Sequence, residues 1–265
     1  MRNPTQRFSS RVDDYVRYRP TYPRALLDLL ADECGLTERW VVADVGAGPG
    51  NLARLFLDCG NTVCGVEPNR EMREAGERLL AGYPRYHSLD GRAEATALPD
   101  DSVDVVVAGQ AFHWFHPDRA RREFSRILRW PQWVVLVWNE RQTSSTPFLK
   151  GYEALLLRHG TDYVSVRHQD VAPEDAIESF FGARGYRVER FDNVQWFDLD
   201  GLRGRLRSSS YVPEVGQPGH DVLMDGAERL FAAHQIDGRV AFAYDTRVYY
   251  GQLESLEDHP EDRMT

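Results

Sequence analysis

Apolar and polar residues follow two periods along this chain, and together they predict an α/β protein. Apolar runs of strand length lie at residues 41–45, 62–67, 86–89, 103–108 and 134–138. Between these runs, apolar residues recur at helical spacing over 25–30, 52–59, 70–80 and 119–128. Nearly continuous apolar strands that alternate with helices are typical of a parallel sheet covered on both faces.

The regular alternation is interrupted after the fifth strand. Residues 143–173 are predicted to be an insertion with one helix at 147–159, and residues 201–219 are predicted to form a loop. The remaining elements of this half are a strand-like segment at 186–199, a helix at 221–234 and a strand at 240–250. The last strand alternates apolar and polar residues, as an antiparallel edge strand does.

A glycine-rich turn joins the first strand to the next helix, and its spacing indicates a ligand class. Dinucleotide sites use G-x-G-x-x-G, whereas this turn has Gly46, Gly48 and Gly50, with Asn51 where the last glycine is expected. Asp44 precedes the turn, and a carboxylate there suits an ammonium group better than a pyrophosphate. The alternative is an ordinary strand-to-helix turn without a ligand.

The string Asp44-x-Gly46-x-Gly48-x-Gly50 resembles the first motif of class I S-adenosylmethionine (SAM) dependent methyltransferases. The leader 8–23 and the string Gln110-Ala-Phe-His-Trp-Phe115 resemble the methyltransferase type 11 group related to trans-aconitate methyltransferase. The resemblance covers about residues 8–251 and is strongest over 41–116. It implies a Rossmann-like, seven-stranded, mostly parallel sheet with helices on both faces and an antiparallel last strand.

The same resemblance implies which residues hold the cofactor, S-adenosyl-L-methionine, and its product, S-adenosyl-L-homocysteine. Asp44 serves the methionine end, and Glu67, at the end of the second strand, suits the two hydroxyls of a ribose. Glu67 lies 19 residues after Gly48 (67 − 48), a separation that fits SAM and NAD sites alike. The full set of implied cofactor contacts is Tyr15, Arg19, Asp44, Gly46, Ala47, Gly48, Glu67, Pro68, Met72, Ala93, Glu94 and Gln110.

Two of these assignments keep an alternative. Met72 either packs near the adenine or belongs to the core of its helix. In the segment resembling the family's G-x-A-E motif, Arg92 stands where an acid is more common. Asp90 and Glu94 therefore both remain candidates for the adenine contact.

Two histidines leave the end of the fourth strand, where open α/β sheets bind ligands. Either histidine could act as a general base, because an imidazole titrates near neutral pH. His113 is the leading candidate, ahead of His116, because it lies nearer the end of the strand. The resemblance implies that Tyr15 lies near the transferred methyl group. The alternative is that this segment is only a packed aromatic loop.

The predicted domain is 1–251, followed by an acidic tail at 252–265. Within it, the resemblance implies that residues 1–23 form a lid, although a solvated leader is the alternative. Insertions 143–173 and 201–219 would complete a small cap over the methyl acceptor. The cap supplies residues that suit an anionic or polar aromatic acceptor, or that belong to an exposed arginine-rich surface: Arg141, Tyr152, Tyr163, Arg205, Arg207 and Tyr211.

Composition and charge indicate which kinds of partner the chain is not expected to bind. The net charge of −9 is unlike a nucleic-acid-binding surface, no apolar run approaches the roughly 20 residues that span a bilayer, and the first residues lack the apolar core of a signal peptide. The three cysteines form no C-x-x-C pair, so we expect a reducing compartment and no metal.

We therefore expect a cytoplasmic monomer or homodimer that methylates a small molecule. Neither nucleic acid nor a membrane is expected as a partner. Two alternatives stay open: an NAD-dependent oxidoreductase of the Rossmann type, and a non-catalytic methyltransferase-like binding protein.

Overall fold

The computed structural model describes residues 12–164 and 174–253. Its strands are β1 Val41–Val45, β2 Thr62–Val66, β3 Tyr86–Leu89, β4 Val103–Gly109, β5 Leu128–Arg141, β6 Arg187–Phe197 and β7 Val240–Gln252. Its helices are α1 Val12–Tyr18, α2 Ala25–Cys34, α3 Asn51–Leu57, α4 Arg70–Leu79, α5 Pro117–Ile127, α6 Pro147–His159, α7 Glu174–Phe181, α8 Leu199–Arg207 and α9 His220–His234. Short 3-10 helices lie at Phe112–Trp114 and Gly182–Arg184.

The seven strands form one sheet in the order β3-β2-β1-β4-β5-β7-β6. β1 pairs in parallel with β2 and β4, β2 with β3, and β4 with β5, while the last strand is antiparallel. The predicted fold class is therefore confirmed. The last strand is not the edge strand that its alternation predicted, because β7 lies between β5 and β6. β1 lies inside the sheet, and its side chains from Val42 to Val45 are buried, which explains its nearly continuous apolar sequence.

Local sequence determines where several helices begin. The Asn69 side chain accepts a hydrogen bond from the Met72 N–H at the start of α4, and Thr146 accepts one from the Leu149 N–H at the start of α6. Pro147 then occupies the first turn of α6, where its missing N–H costs nothing. The helix predicted at 147–159 is confirmed with both boundaries.

Two predictions about the chain's second half are wrong in part. β5 begins at Leu128, six residues before the predicted start of this strand at residue 134 (134 − 128). This early start arises because Leu128 pairs with Val103, and a register shift between Val103 and Val105 admits the extra residues. The loop predicted over 201–219 is wrong for residues 201–207, which lie in helix α8.

Helix α8 is easy to miss in the sequence because two glycines interrupt its pattern. Asp198 caps it by accepting the Gly201 N–H. A Cβ built on Gly204 would lie 2.0 Å from the Tyr18 ring, so the absent side chain admits the aromatic ring of α1. Here packing outweighs the low helix propensity of glycine.

The described residues divide into two compact units. The glycine-turn unit holds residues 24–138, 174–190 and 247–253, and its core includes Val45, Phe112 and Trp138. The arginine unit holds residues 12–23, 139–164 and 191–246, and its core includes Tyr152 and Phe242. The leader before residue 12, the insertion after residue 164 and the tail after Leu253 lie partly or wholly outside the described residues.

Within the described ranges, no helix combines the length and the apolar character needed to cross a bilayer. Nor do histidine, cysteine and acidic side chains come together there in a group that could hold a metal ion.

Candidate functional site

The three glycines of the turn after β1 have left-handed backbone angles, with φ of 72° at Gly46, 54° at Gly48 and 88° at Gly50. The Gly46 N–H donates to the Val66 carbonyl at 2.8 Å, which fixes the turn against the end of β2. A Cβ at Gly46 would lie 2.5 Å from the Ala111 Cβ, whereas one at Gly48 would meet nothing within 4 Å. Gly46 is therefore needed for packing, and Gly48 borders open space.

Asp44 is a fully buried carboxyl group beneath this turn. Its Oδ2 accepts the Ala53 N–H at 3.0 Å, at the start of α3. Its Oδ1 is buried and has no hydrogen-bond partner among the described residues. Burial raises the Asp44 pKa to about 7, with the Ala53 hydrogen bond lowering it and the nearby Glu67 raising it further. An unpartnered buried oxygen is costly, which indicates a place for a ligand's cationic donor.

Glu67 connects the turn to the end of β2. Its Oε2 accepts the Gly48 N–H at 2.9 Å and its Oε1 accepts the Asn69 N–H at 2.8 Å. Burial raises the Glu67 pKa, while these two bonds and Arg73 lower it. Because a carboxylate oxygen offers two lone pairs, each oxygen of Glu67 retains capacity for a ligand hydroxyl.

The other predicted cofactor residues near the turn differ in burial and in hydrogen bonding. Ala47, Met72 and Ala93 are buried, and Pro68 is half-buried beside Glu67. Glu94, predicted at the adenine, accepts the His116 N–H at 2.7 Å and thereby holds the start of α5. The contact of Glu94 with the adenine therefore stays a prediction.

The segment after β4 places Gln110 and His113 at the carboxyl edge of the sheet. Gln110 has φ of 58°, and its N–H donates to the Val137 carbonyl at 2.8 Å. His113 packs on Trp114 with 4.7 Å between ring centroids, and its buried Nδ1 has no hydrogen-bond partner among the described residues. Burial lowers the His113 pKa to about 4, so the imidazole is neutral at pH 7. His116 is exposed.

Tyr15 and Arg19 belong to the arginine unit. The Arg19 guanidinium lies over the Tyr15 ring at 4.9 Å and donates from Nη2 to the Ser208 carbonyl at 3.1 Å. The Nε of Arg19 is buried and lacks a hydrogen-bond partner within the described part of the chain. The lid formed by residues 1–23 stays a prediction, and residues 1–11 lie outside the described residues.

The structure brings most of the predicted acceptor residues together in the arginine unit, and they are buried rather than on an exposed surface. Arg141 contacts Tyr152 and Tyr163, and Arg205 lies in the same cluster with Tyr211. Arg207 is different, because it is partly exposed and pairs with Asp14 at 3.2 Å.

Three residues that contact these arginines were not predicted from the sequence. Glu153 contacts Arg141, and Ser209 and Tyr244 contact Arg205. The inward positions of β7 contain Tyr244, since residues 240, 242, 244 and 246 are all buried. That alternation was the available indication for Tyr244. Nothing comparable in the sequence singled out Glu153 or Ser209.

Comparisons with known proteins show which family the chain is similar to. Residues 43–136 match a family model described as a methyltransferase domain. The chain is 31% identical over 254 residues to an uncharacterized methyltransferase-like protein of Schizosaccharomyces pombe, and the alignment covers 93% of this chain and 95% of that protein. An uncharacterized methyltransferase of Mycobacterium tuberculosis is 40% identical over 134 residues, which is 51% of this chain and 52% of that protein.

Among solved structures, a proposed type II methyltransferase from Anaeromyxobacter dehalogenans superposes with a TM-score of 0.65. The match covers 89% of this chain and 98% of that chain at 22% identity. At that identity the likeness is one of fold.

Proposed function

This chain belongs to the class I SAM-dependent methyltransferase family, and we propose that it moves the methyl group of SAM to an oxygen, nitrogen or carbon of a small-molecule acceptor. The observation that carries the proposal is the buried, unpartnered Asp44 Oδ1 beneath a glycine turn whose Gly48 borders open space. An amino acid ammonium group matches that oxygen in charge and in donor capacity.

The residues present fit SAM. Asp44 would accept the ammonium group of its methionine end, Gly48 would leave room for the ligand, and Glu67 would accept the ribose hydroxyls. SAM supplies a methyl group already activated by a sulfonium, so the protein's task is mainly to align the partners and exclude water. Tyr15, Arg19, Pro68, Met72, Ala93, Glu94 and Gln110 remain proposed contacts, with S-adenosyl-L-homocysteine as the released product.

The test is cofactor calorimetry with the full chain. SAM and S-adenosyl-L-homocysteine should bind and NAD should not, because Asp44 would face a pyrophosphate and Asn51 replaces the last dinucleotide glycine. Binding of NAD in place of SAM would favour the oxidoreductase alternative. Binding of SAM without methyl transfer to any molecule in a labelled-SAM metabolite screen would favour the non-catalytic alternative.

Replacing Glu67 with Ala should weaken SAM binding by about 1.5–3 kcal/mol, the value of hydrogen bonds to a charged group. The change also removes the acceptor for the Gly48 and Asn69 N–H groups. Glu71→Ala, at an exposed position at the start of the following helix, is the matched control. Equal SAM affinity for Glu67→Ala and wild type would place the ribose elsewhere.

His113 is the proposed base for an acceptor that must lose a proton. His113→Ala should lower turnover by about 10²-fold, the lower end of the range for general base catalysis, because a base of pKa about 4 accepts a proton weakly. SAM affinity should stay nearly unchanged. Because the His113 pKa is about 4, its deprotonated form persists, and the rate should not titrate with His113 between pH 6 and 8.

The measurement for His113 is initial rate against pH with an acceptor from the labelled-SAM screen, and His116→Ala is the control at the exposed histidine. Wild-type turnover in His113→Ala would leave no role for this imidazole. A carboxylate acceptor, which needs no base, would then be favoured.

We further propose a cytoplasmic monomer or homodimer without nucleic-acid or membrane partners. The net charge of −9 supports the first exclusion. Sedimentation of the purified chain and fractionation of cells test the assembly and the location.

A further inference from the structure

The arginine unit contains a buried cluster whose positive charges outnumber its carboxylates. We define the arginine–tyrosine cluster as Arg19, Arg141, Glu153, Arg205 and Tyr211, with Tyr152, Tyr163, Ser209 and Tyr244 around them. Arg205 is 3% exposed, and the side chains of Arg141 and Glu153 are 9% and 10% exposed. Burying a charge without a partner is strongly unfavourable, so the buried guanidiniums of Arg141 and Arg205, with the half-buried Arg19 beside them and only one carboxylate, favour further negative charge.

The hydrogen bonds of the cluster show where this charge is missing. Arg141 Nη2 pairs with Glu153 Oε2 at 2.5 Å and donates to the Tyr163 hydroxyl at 2.9 Å. Arg205 meets only neutral groups, donating to Ser209 Oγ at 2.8 Å and to the Tyr244 hydroxyl at 3.3 Å. Glu153 therefore compensates Arg141 and leaves Arg205 without an anionic partner among the described residues.

Several polar atoms of the cluster are buried and unused. Arg141 Nη1, Arg19 Nε and the Tyr152 hydroxyl have no hydrogen-bond partner within the described residues. Buried donors of this kind normally find partners. Arg141 lies 4.9 Å from the centre of the Tyr152 ring, and Arg19 and Arg141 both lower the Tyr211 pKa, so the three residues belong to one region. Unused donors there would suit a ligand with several acceptor oxygens.

Tyr211 is the neutral group of the cluster that can itself become an anion. Its ring lies 4.8 Å from that of Tyr163, between their centroids. Burial raises the Tyr211 pKa, but Arg205, Arg19, Arg141 and a hydrogen bond with Ser209 outweigh it, so that the pKa falls below its ordinary value of 10. By contrast, burial raises the pKa of Tyr152 and of Tyr163 above that value.

We propose that the arginine–tyrosine cluster binds the anionic group of the methyl acceptor, a carboxylate or a phosphate-like oxyanion. At a pH where Tyr211 is ionised, binding of the anion would be coupled to uptake of one proton from solvent by Tyr211, which leaves the cluster's charge unchanged. The inference rests on the proposed function, since it identifies the anion as part of the acceptor. Planar guanidiniums suit such oxyanions because they donate in pairs.

The test follows tyrosinate absorbance near 295 nm in the full chain during a pH titration, with citrate, malonate or inorganic phosphate as probes. Without a probe, one of the 12 tyrosines should ionise below the others, and Tyr211→Phe should remove that step. A probe should move the step to higher pH. Probe affinity should fall about tenfold for each pH unit above the step in wild type and stay flat in Tyr211→Phe.

Control variants separate the cluster from general anion binding. Arg141→Lys keeps the charge but not the paired donors, so probe affinity should fall at least tenfold. Arg203→Lys, at an arginine of α8 that pairs with Asp200 and Glu228, should leave it unchanged. The inference is overturned if none of the three probes moves the Tyr211 ionisation step to higher pH. It is also overturned if S-adenosyl-L-homocysteine alone already suppresses that step, because the bound anion would then be the cofactor's carboxylate. If the wild-type chain does not bind SAM in calorimetry, by contrast, the proposed function is overturned.

Discussion

Asp44→Asn should make the ligand-free protein more stable at pH 8 and its SAM complex weaker. Folding raises the pKa of this buried carboxyl from 3.8 to about 7, so the folded state holds a proton that the unfolded state releases. Wild-type stability should therefore fall as the pH rises from about 4 to about 7 and then level off. At about 1.4 kcal/mol per pKa unit, Asn should recover about 1–4 kcal/mol above pH 7.

The gain has a functional cost. Asn keeps a carbonyl oxygen for the Ala53 N–H but lacks the charge proposed to meet the SAM ammonium group. SAM affinity should fall by about 1.5–3 kcal/mol, roughly tenfold to a hundredfold. Wild-type affinity should also decline below pH 7 as Asp44 becomes protonated, whereas the affinity of the variant should not.

Thermal unfolding at several pH values and SAM calorimetry measure the two effects of Asp44→Asn. Asp225→Asn, at an exposed position of α9, is the control for loss of one negative charge. If Asp44→Asn is as stable as wild type at both pH 5 and pH 8, the Asp44 pKa is not raised by folding. Unchanged SAM affinity would remove Asp44 from the proposed site.

Gly46→Ala should strongly destabilise the protein. The residue would keep a φ of 72°, which costs an L-residue about 1–2 kcal/mol. Its Cβ would lie 2.5 Å from that of Ala111, and such overpacking costs about 1–3 kcal/mol. We expect a loss of about 2–5 kcal/mol in the free energy of unfolding, measured by denaturant titration.

Two further variants divide this loss into its causes. Gly48→Ala has a φ of 54° and open space around its Cβ, so it should show only the backbone cost while obstructing SAM. Combining Gly46→Ala with Ala111→Gly removes the clash, and a double-mutant cycle should give a favourable coupling between the two sites. Additive losses would mean that the turn moves away from Ala111 without resistance.

The glycine-turn unit was largely predictable from the sequence because its information is local. Apolar runs specified β1 to β4 within a residue or so, and the carboxylate at the end of β2 was identified by its distance from Gly48. The role of Glu67 in holding the Gly48 N–H was not predictable, since it depends on the hydrogen bonds of the folded turn. The start of β5 was missed because it results from a register shift against β4.

The arginine unit was less predictable because its polar groups are buried through contacts between distant segments. Arg141, Glu153 and Arg205 lie on β5, α6 and α8, and no short motif relates them. Composition alone suggested an exposed arginine surface as readily as a buried cluster. Helix α8 was missed because its packing against Tyr18 permits glycines that local propensity disfavours.

The strand order has a consequence for how the chain is assembled during synthesis. Among the strands that the structure describes, β7 is the last to leave the ribosome, yet it lies between β5 and β6 in the sheet. Until it arrives, both neighbours present unpaired backbone groups that can recruit strands from other chains. We therefore expect chaperones to bind the nascent protein at β5 and β6 during this interval. Insertion of β7 pairs the exposed backbone groups of both strands.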